Sequence, residues 1–340
     1  MVEINEGSTV SSVPLNKSHY ILGIESSCDD ASASVLKIPE GVVLSNIISS
    51  QVKTHAPYGG VVPELASRQH FKNIPVVVDL ALEEAHIRLE DLSLICATSQ
   101  PGLIGSLLVG LSYGKALAFS RGLPFLGIHH IEAHMMAVHL ESRVSYPYIA
   151  LVVSGGHTHL FLVKDFGQYE LVGKTMDDAA GEAFDKVAKF FNLGFPGGPL
   201  VDKLSKNGNP QAFLFPRPFI GEENFKFSFS GLKTAVIQHA KYNPHVNLED
   251  VLASFQEAVV DVLVEKTTRA ALKFKCQNIV MCGGVACNSR LREMMKEVSS
   301  QCNLNFYVPS PILCTDNAAM VAYTGWQSDV RGRTSSASIL

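Results

Sequence analysis

Two stretches decide the fold of this chain: YILGIESSCDDASASVL, residues 20–36, and YIALVVSGGHTHLFLV, residues 148–163. Each begins with an apolar run typical of a buried strand and then passes through a short turn into a second β-favouring segment. Further strand and helix patterns follow each stretch. This repeat predicts a duplicated α/β architecture with a cleft between its two halves. At 340 residues the chain also exceeds the size at which one core usually stops growing, which favours two domains.

The remaining elements are predicted from periodicity and from breaks at Gly and Pro. After the first hairpin we expect strands over 41–50, 94–98 and 124–128 and helices over 71–85 and 104–120. After the second we expect a strand over 278–281 and helices over 178–191, 248–274, 286–298 and 318–326, with one more helix after the loop 196–199.

The net charge bears on nucleic-acid binding. The net charge of −4 gives no electrostatic case for nucleic-acid binding by the whole chain, so a polyanion needs a local basic patch or a basic partner. Candidates for such a patch are Lys226, Lys233, Arg290 and Arg292.

The cysteines and the apolar segments point to a cellular compartment. Seven cysteines without a Cys-x-x-Cys pair argue against a disulfide framework and a zinc ribbon and favour a reducing compartment. Residues 1–18 resemble neither a signal nor a transit peptide, and the apolar stretch 103–119 is too short and too interrupted for a membrane span. We therefore expect a cytoplasmic protein without a membrane segment.

The run His129-His130-Ile131-Glu132-Ala133-His134 is the most informative motif for chemistry. In a helix, residues i and i+4 stand only about 40° apart, so His130 and His134 can reach one metal ion. Glu132 lies about 200° round the helix from His130, unlike the glutamate of the zinc-protease pattern His-Glu-x-x-His. The alternative is a pair of core or capping histidines without a ligand.

The turns of the two hairpins also carry polar groups. In the first, Ser26 and Ser27 can hold phosphate oxygens, and Asp29 or Asp30 can bind a metal or act as a base. In the second, the N–H groups around the paired glycines of 153–157 suit an anion or a carbonyl oxygen. Simple tight turns remain the alternative for both.

Two further motifs lie near the C-terminus. The run Gly283–Asn288 follows an apolar strand and opens a helix, so it can bring backbone close to a nucleotide, although it lacks the ending of a Walker loop. Asp316 either caps the helix that starts near residue 318 or completes a metal site with the two histidines. Two histidines and one carboxylate suit zinc or ferrous iron, and the sequence does not choose between them.

Taken together, these motifs resemble the family of tRNA threonylcarbamoyladenosine transferases, the TsaD-type proteins. The similarity runs from about Tyr20 to Trp326. The motifs occur in the family's order: GIESSCD (23–29), YGGVVPELASR (58–68), HIEAH (130–134), VSGGH (153–157), DDAAGEAFDK (177–186), PGGP (196–199), FSFSGLKT (227–234), GGV (283–285) and CTDN (314–317). Asp30, Gln100 and Cys287 depart from the pattern, where Glu, Gly and Ala are usual.

The resemblance implies the two-domain α/β fold shared by actin, sugar kinases and Hsp70-type ATPases. Its lobes would comprise 20–129 with 316–330, and 130–315, between a flexible extension 1–19 and a polar tail 331–340. It also implies transfer of a threonylcarbamoyl group from threonylcarbamoyl-AMP to N6 of the tRNA adenosine that follows the anticodon.

The resemblance further implies a role for particular residues. Matched to the family motifs, the metal ligands are His130, His134 and Asp316, with Fe²⁺ favoured over Zn²⁺. Substrate contacts are Val152, Val153, Ser154, Gly155 and Gly156, while Asp185, Gly198 and Asn288 hold the adenylate and Asp202 makes a further contact. On chemical grounds, Asp29 is the candidate for accepting or steering the proton of the attacking amine.

The resemblance implies partners as well. We expect tRNA, a paralogous actin-fold partner and a small ATPase, as in the bacterial arrangement, with a homodimer as the alternative. From the residues alone, three other functions stay open: a metalloendopeptidase, a sugar-kinase-like ATPase and a non-catalytic scaffold. The position of Glu132 disfavours the metalloendopeptidase.

Overall fold

The computed structural model describes residues 19–332. The predicted extension 1–19, apart from His19, and the predicted polar tail 331–340, apart from Arg331 and Gly332, lie outside the described residues. Within them, no helix combines the length and the hydropathy that are needed to span a lipid bilayer.

Two five-stranded sheets form the framework. The first contains β1 (His19–Glu25), β2 (Asp30–Ile38), β3 (Val42–Ser50), β4 (Leu92–Gln100) and β5 (Phe125–His129). The second contains β6 (Tyr148–Val153), β7 (Thr158–Asp165), β8 (Gln168–Lys174), β9 (Asn278–Cys282) and β10 (Asn305–Tyr307).

The two sheets share one topology. The strand orders are β3-β2-β1-β4-β5 and, from the other end, β8-β7-β6-β9-β10. In each sheet the first strand pairs antiparallel with its hairpin partner and parallel with a strand that returns through a helical crossover. The predicted duplicated α/β architecture is therefore confirmed.

Eleven α-helices accompany these sheets in the described part of the chain. They are α1 (Val52–His55), α2 (Pro63–Glu84), α3 (Ile104–Arg121), α4 (His130–Met136), α5 (Ala180–Phe190), α6 (Gly197–Ser205), α7 (Ser230–Tyr242), α8 (Leu248–Lys273), α9 (Ser289–Gln301), α10 (Pro311–Cys314) and α11 (Ala318–Val330).

Both sheets are covered on both faces, which explains why their central strands are continuously apolar. Along β1, Ile21 packs in a cluster with residues of α11, and the next residue, Leu22, packs in a cluster with residues of α2. Along β6, Leu151 faces the cluster built by α5 to α9, whereas Val152 faces the cluster that holds α4. The site described below lies where α4 and the start of α11 meet.

A glycine in β1 lets α11 approach the first sheet. A Cβ on Gly23 would lie 2.3 Å from the carbonyl oxygen of Ala318. The N–H of Ala318 donates to Ser32 Oγ at 2.9 Å, so the start of α11 is tied to β2 as well. This contact sets the position of the segment just before α11, which carries Asp316.

Several predicted boundaries were wrong. Helix α2 begins at Pro63 rather than at 71, because Pro is favoured at the first position of a helix and the early turns are polar on their exposed side. The helix predicted over 286–298 is a 3-10 turn at Gly284–Cys287 followed by α9, since Asn288 caps the α-helix from outside. Strands β8 and β10 and helix α7 were not predicted. The lobe boundaries stay a prediction.

Candidate active site

The two histidines of the motif lie where β5 runs directly into α4. His130 is the first residue of α4 and His134 lies one turn later, so both rings point to the same side. The ring centroids are 4.5 Å apart and both side chains are buried. Glu132, between them, accepts a hydrogen bond from Tyr169 Oη at 2.7 Å.

Asp316 joins the two histidines from a distant part of the chain. Its Oδ1 lies 3.1 Å from His134 Nε2 and 3.7 Å from His130 Nε2. One ligand atom from each of the three residues lies within 4.8 Å of the others, a grouping that could hold a metal ion. Two imidazoles and one carboxylate, with further positions open, are a donor set for Zn²⁺ or Fe²⁺.

The alternative role of Asp316 as a helix cap was wrong. The cap of α11 is Asn317, whose Oδ1 accepts from the N–H of Met320 at 3.1 Å. Its Nδ2 donates to the carbonyl of Thr315 at 2.8 Å, which fixes the turn that carries Asp316. Because the neighbouring residue satisfies the helix end, the carboxylate of Asp316 is available to the histidines.

Glu25 supports His130 from the side opposite to Asp316. This glutamate is fully buried at the end of β1 and accepts from the N–H of Ser27 and from Thr98 Oγ1, each at 2.6 Å. Its Oε2 lies 3.1 Å from His130 Nδ1. The carboxylate therefore favours the tautomer with a proton on Nδ1 and leaves Nε2 as a ligand. The sequence motifs did not indicate this role, although a carboxylate at the end of an apolar strand is a visible sign of a buried polar contact.

The electrostatics of this cluster demand a positive charge. Burial alone lowers the pKa of His130, but the nearby carboxylates of Glu25 and Asp316 outweigh it and raise that pKa to about 9. Burial raises the pKa of Glu25 and of Asp316, yet the histidines hold both pKa values below their ordinary range. Either a protonated imidazole or a bound cation satisfies the two buried carboxylates, so the residues fit a divalent metal.

The serines of the first turn are buried and have partners within the protein, and their contact with a phosphate stays a prediction. Ser26 Oγ donates to the carbonyl of Ser106 at 3.0 Å, and Ser27 Oγ lies 3.1 Å from His130 Nδ1. Both hydroxyls therefore hold the site together.

The aspartates of the first turn are partly exposed and close to Asp316. Burial, together with the charge of Asp316, raises the pKa of Asp29. The same two causes raise the pKa of Asp30 to about 7. Both carboxylates thus have an increased affinity for a proton at the edge of the cluster.

The second hairpin presents a bare backbone surface. Within residues 19–332, neither Gly155 nor Gly156 donates its N–H to another protein group, and a Cβ on either would meet nothing within 4 Å. Ser154 is half-buried, and its Oγ accepts from the N–H of His157 at 3.2 Å. The ring of His157 lies 6.5 Å from that of His130, so this turn borders the histidine cluster. Val152 and Val153 are fully buried behind it.

The predicted adenylate residues surround the N-termini of two helices. Asp185 Oδ1 accepts from the N–H of Gly197 at 2.7 Å at the start of α6, and Gly198 beside it faces open space. The pKa of Asp185 is raised by burial, with a smaller contribution from Asp29.

Two other predicted contacts are engaged within the fold. Asn288 caps α9 through its Oδ1, which accepts from the N–H of Leu291 at 2.9 Å, and its Nδ2 donates to Gln256 Oε1 at 2.7 Å. Asp202 Oδ1 accepts from Ser289 Oγ at 2.8 Å at the same helix start. Their contact with a nucleotide stays a prediction.

Three of the four residues of the predicted basic patch have partners within the protein. Lys233 pairs with Asp178 at 2.7 Å, and Arg290 pairs with Glu257 at 2.8 Å. Arg292 donates to the carbonyls of Ala286 and Pro309. These pairings neutralise much of their positive charge, and a joint surface for a polyanion stays a prediction.

Comparisons with known proteins agree with this architecture. Among solved structures, the chain superposes on HypF from T. kodakarensis with a TM-score of 0.64 at 14% identity, covering 94% of this chain and 49% of that one. It superposes on component A of (R)-2-hydroxyglutaryl-CoA dehydratase from Acidaminococcus fermentans with a TM-score of 0.57 at 14% identity, covering 92% and 99%. These likenesses concern the fold alone, and they confirm the predicted two-lobed actin-like class.

Sequence comparisons identify the family. Residues 42–323 match the family model described as TsaD, tRNA N6-adenosine threonylcarbamoyltransferase. A relative of that name from Syntrophotalea carbinolica is 53% identical over 309 residues, which cover 90% of each chain. Another from Clostridioides difficile is 51% identical over 319 residues, covering 92% of this chain and 94% of the relative. The chain therefore belongs to the tRNA N6-adenosine threonylcarbamoyltransferase family and is a transferase.

Proposed function

We propose that this chain transfers the threonylcarbamoyl group of threonylcarbamoyl-AMP to N6 of the adenosine 3′ of the anticodon, in tRNAs that read codons beginning with adenine. The observation that carries the proposal is the convergence of the His130, His134 and Asp316 ligand atoms beside the free N–H groups of Gly155 and Gly156. A cationic centre next to backbone donors suits a substrate that contains a phosphate and an acyl oxygen. The name shared by the curated relatives supports this substrate class.

In this proposal His130, His134 and Asp316 hold one divalent metal ion, with Fe²⁺ favoured by the family resemblance. When bound, such an ion supplies Lewis-acid stabilisation of negative charge on a phosphate or carbamoyl oxygen. Glu25 keeps the His130 imidazole oriented, and Asn317 keeps the turn that carries Asp316 in place.

The residues around this centre position the two substrates. The N–H groups of Gly155 and Gly156 donate to the acyl oxygen, where charge develops as the amine attacks. The open backbone at Gly198 lets the adenylate lie close to the start of α6, next to Asp185. AMP is a good leaving group, so catalysis needs mainly positioning.

Asp29 is the proposed acceptor of the proton. The N6 nitrogen forms a bond to the carbamoyl carbon, the bond from that carbon to the phosphate oxygen breaks, and the nitrogen loses a proton. A carboxylate whose pKa is raised by burial is better matched to this task than an exposed one. The charge of Asp29 also raises the pKa of Asp185, the proposed adenylate contact, which supports a role for Asp29 near the reacting groups.

We further propose that tRNA docking depends on partners, because the chain is acidic and most of the predicted basic residues are used internally. A groove of about 590 Å³ between α2 and α3 is lined by apolar side chains that include Phe71 and Leu108. These are 76% and 56% exposed. We assign this face to a paralogous actin-fold partner, with a second copy as the alternative, and expect a small ATPase in the same assembly. A cytoplasmic location fits the seven free cysteines.

The decisive experiment is a transfer assay. The metal-loaded protein is incubated with threonylcarbamoyl-AMP, unmodified tRNA and the accessory proteins, and the nucleosides are analysed by mass spectrometry. Threonylcarbamoyladenosine should form, and Asp316→Ala should lower bound metal and transfer together. No modified adenosine from a fully metallated protein would refute the proposal.

The same protein tests the other functions. Peptide cleavage that disappears in His130→Ala would support the metalloendopeptidase instead. ATP-dependent phosphorylation of a sugar, with no transfer to tRNA, would support the kinase-like alternative. Glu132 accepts a hydrogen bond from Tyr169 and is not one of the three proposed metal ligands. Glu132→Gln is therefore the control variant, which should retain transfer.

A further inference from the structure

Three buried polar side chains lie between the first turn (residues 26–29) and helix α2, and the site described above does not use them. They belong to Gln51, which follows β3 directly, and to the histidines His55 and His70. Both histidines are fully buried, and Gln51 is 3% exposed. Burying a polar group costs free energy unless it forms a hydrogen bond, and an apolar side chain would fill the same space without that cost. The contacts of these three groups should therefore explain their presence.

One contact holds the carbonyl group of Cys28. His70 lies in the second turn of α2, and its Nε2 is 2.9 Å from the Cys28 carbonyl oxygen. Because a carbonyl oxygen can only accept, the imidazole carries its proton on Nε2 and donates it to this bond. Burial lowers the pKa of His70, which keeps the ring neutral. Its Nδ1 is buried and has no hydrogen-bond partner among residues 19–332, a cost that an apolar residue at position 70 would not have.

A chain of hydrogen bonds ties the next carbonyl group of the turn to the start of the same helix. The N–H of Gln51 donates to the carbonyl oxygen of Asp29 at 3.2 Å. The Gln51 side chain is held from both sides: its Nε2 donates to the carbonyl oxygen of Ala66 in α2 at 3.3 Å, and its Oε1 lies 3.2 Å from His55 Nε2. His55 Nδ1 accepts from the N–H of Val62 at 3.2 Å, so the proton of this ring is on Nε2 and donates to Gln51.

These bonds fix the backbone of the first turn relative to α2. Cys28 and Asp29 lie between β1 and β2, and groups that α2 positions hold the carbonyl oxygens of both. The side chain of Asp29 is partly exposed. A carboxylate that accepts a proton from a bound substrate needs an accurate position, since a displacement of about 1 Å can lower a rate about 100-fold.

We propose that His70 is a positioning residue for the transfer reaction: its hydrogen bond to the Cys28 carbonyl holds the turn that carries Asp29. Gln51 and His55 support the same turn from its other carbonyl group. The inference rests on the proposed function, because the position of the turn affects the rate only if Asp29 acts on the substrates. His70 is fully buried, so it acts through the turn and not by contact with a substrate. The rate of transfer should therefore depend on a hydrogen-bond donor at position 70, and the affinity for tRNA should not.

The kinetic test compares His70→Leu with His70→Gln in the full, metal-loaded chain together with the accessory proteins. Leucine has no donor, whereas the amide nitrogen of glutamine can take the place of the imidazole Nε2 and donate to Cys28. The kcat of His70→Leu should fall roughly 10–100-fold, with the KM for tRNA at the wild-type value. His70→Gln should retain most of the wild-type kcat. Wild-type kcat in His70→Leu, or a kcat of His70→Gln as low as that of His70→Leu, would overturn the proposal.

Asn73 provides the matched control, because it also links α2 to the first sheet. Its Nδ2 donates to Ser49 Oγ in β3 at 3.1 Å, and this bond does not involve the first turn. Asn73→Ala should keep the wild-type kcat, and a loss equal to that of His70→Leu would show that any loosening of α2 has the same effect. Thermal unfolding checks that each variant folds. If His70→Leu does not fold, His70→Asn replaces it, since its shorter side chain does not reach the Cys28 carbonyl, and the same loss of kcat is expected.

Hydrogen–deuterium exchange tests the hold on the turn without an activity assay. In His70→Leu, peptides that cover residues 25–31 should exchange faster than in wild type, whereas peptides of α7, in the other half of the chain, should exchange at the wild-type rate. Unchanged exchange in residues 25–31 would overturn the proposal. If exchange is faster in His70→Leu but the wild-type protein never forms modified adenosine, the hold on the turn is established and the result counts against the proposed function alone.

Discussion

Among single residues, Glu25 is the side chain on which the histidine cluster most depends. It bonds to His130 Nδ1 while two other donors hold it in place. Substitution Glu25→Gln removes the charge that fixes the His130 tautomer, and changes of this kind typically lower metal affinity roughly 10–100-fold. Competition with a chromophoric chelator for Zn²⁺ measures the affinity directly.

The matched control for this prediction lies on α4 itself. Glu132→Gln removes a carboxylate that bonds to Tyr169, and it should leave the Zn²⁺ affinity at the wild-type value. Equal affinities in wild type and Glu25→Gln would show that Glu25 does not orient the ligand.

Asp30 should make stability depend on pH. Burial and the charge of Asp316 raise its pKa from the ordinary 3.8 to about 7 in the folded state. Between these values the unfolded chain loses its proton first, so the free energy of unfolding falls as pH rises from about 4 to about 7 and is level above that. The shift corresponds to roughly 2–4 kcal/mol, allowing for the partial exposure of the side chain.

Asp30→Asn removes this titration. In metal-free protein near pH 4, the free energy of unfolding of the variant should equal that of wild type or be lower. From there up to pH 7, the difference should change steadily in favour of the variant. Urea unfolding of both proteins at each pH gives the difference. A difference that does not change with pH would contradict the raised pKa.

At the scale of elements, the turn between β9 and α9 depends on close backbone packing. Gly283 has φ of +94°, and a Cβ there would lie 2.4 Å from the carbonyl oxygen of Val153. Gly283→Ala should therefore lower the free energy of unfolding by roughly 1–3 kcal/mol, through both the clash and the strained backbone. Chemical denaturation measures this loss.

The adjacent glycine provides the comparison. A Cβ on Gly284 would meet nothing within 4 Å, so Gly284→Ala should change stability little. If both substitutions lower the free energy of unfolding equally, close packing against Val153 would not explain why residue 283 is a glycine.

At the scale of the whole molecule, the exposed apolar face of α2 and α3 is predicted to mediate association. Phe71→Glu combined with Leu108→Glu places two charges in the groove and should abolish binding to the actin-fold partner or to a second copy. Analytical ultracentrifugation of the protein alone and with the partner measures the assembly. The melting temperature should stay near that of wild type, since neither side chain lies in a core cluster.

A control for this surface lies on α8. Leu272 is 54% exposed and belongs to the second half of the chain, so Leu272→Glu should leave association intact. Assembly that survives the double substitution would place the partner elsewhere.

Local patterns were sufficient for much of this fold. The apolar runs that begin β1 and β6 and the turns that follow them predicted both hairpins, because a strand covered on both faces must be apolar throughout. The edge strands β8 and β10 escaped prediction, since β8 is largely exposed and β10 has only three residues. Helix starts were hard to predict for a similar reason. Asn288 and Pro63 act at helix ends, where too few residues remain to show the helical period.

Local sequence patterns were enough to predict the duplicated α/β architecture, the position of His130 and His134 on one helical face and, through ordered motifs, the family resemblance. The groups that complete the cluster depend on tertiary packing. Asp316 lies 182 positions from His134 and Glu25 lies 105 from His130, and they meet because α11 packs on β1 and because α4 follows β5 directly. Helical geometry reaches four residues along a chain, whereas contacts over such separations depend on how the sheets and helices pack.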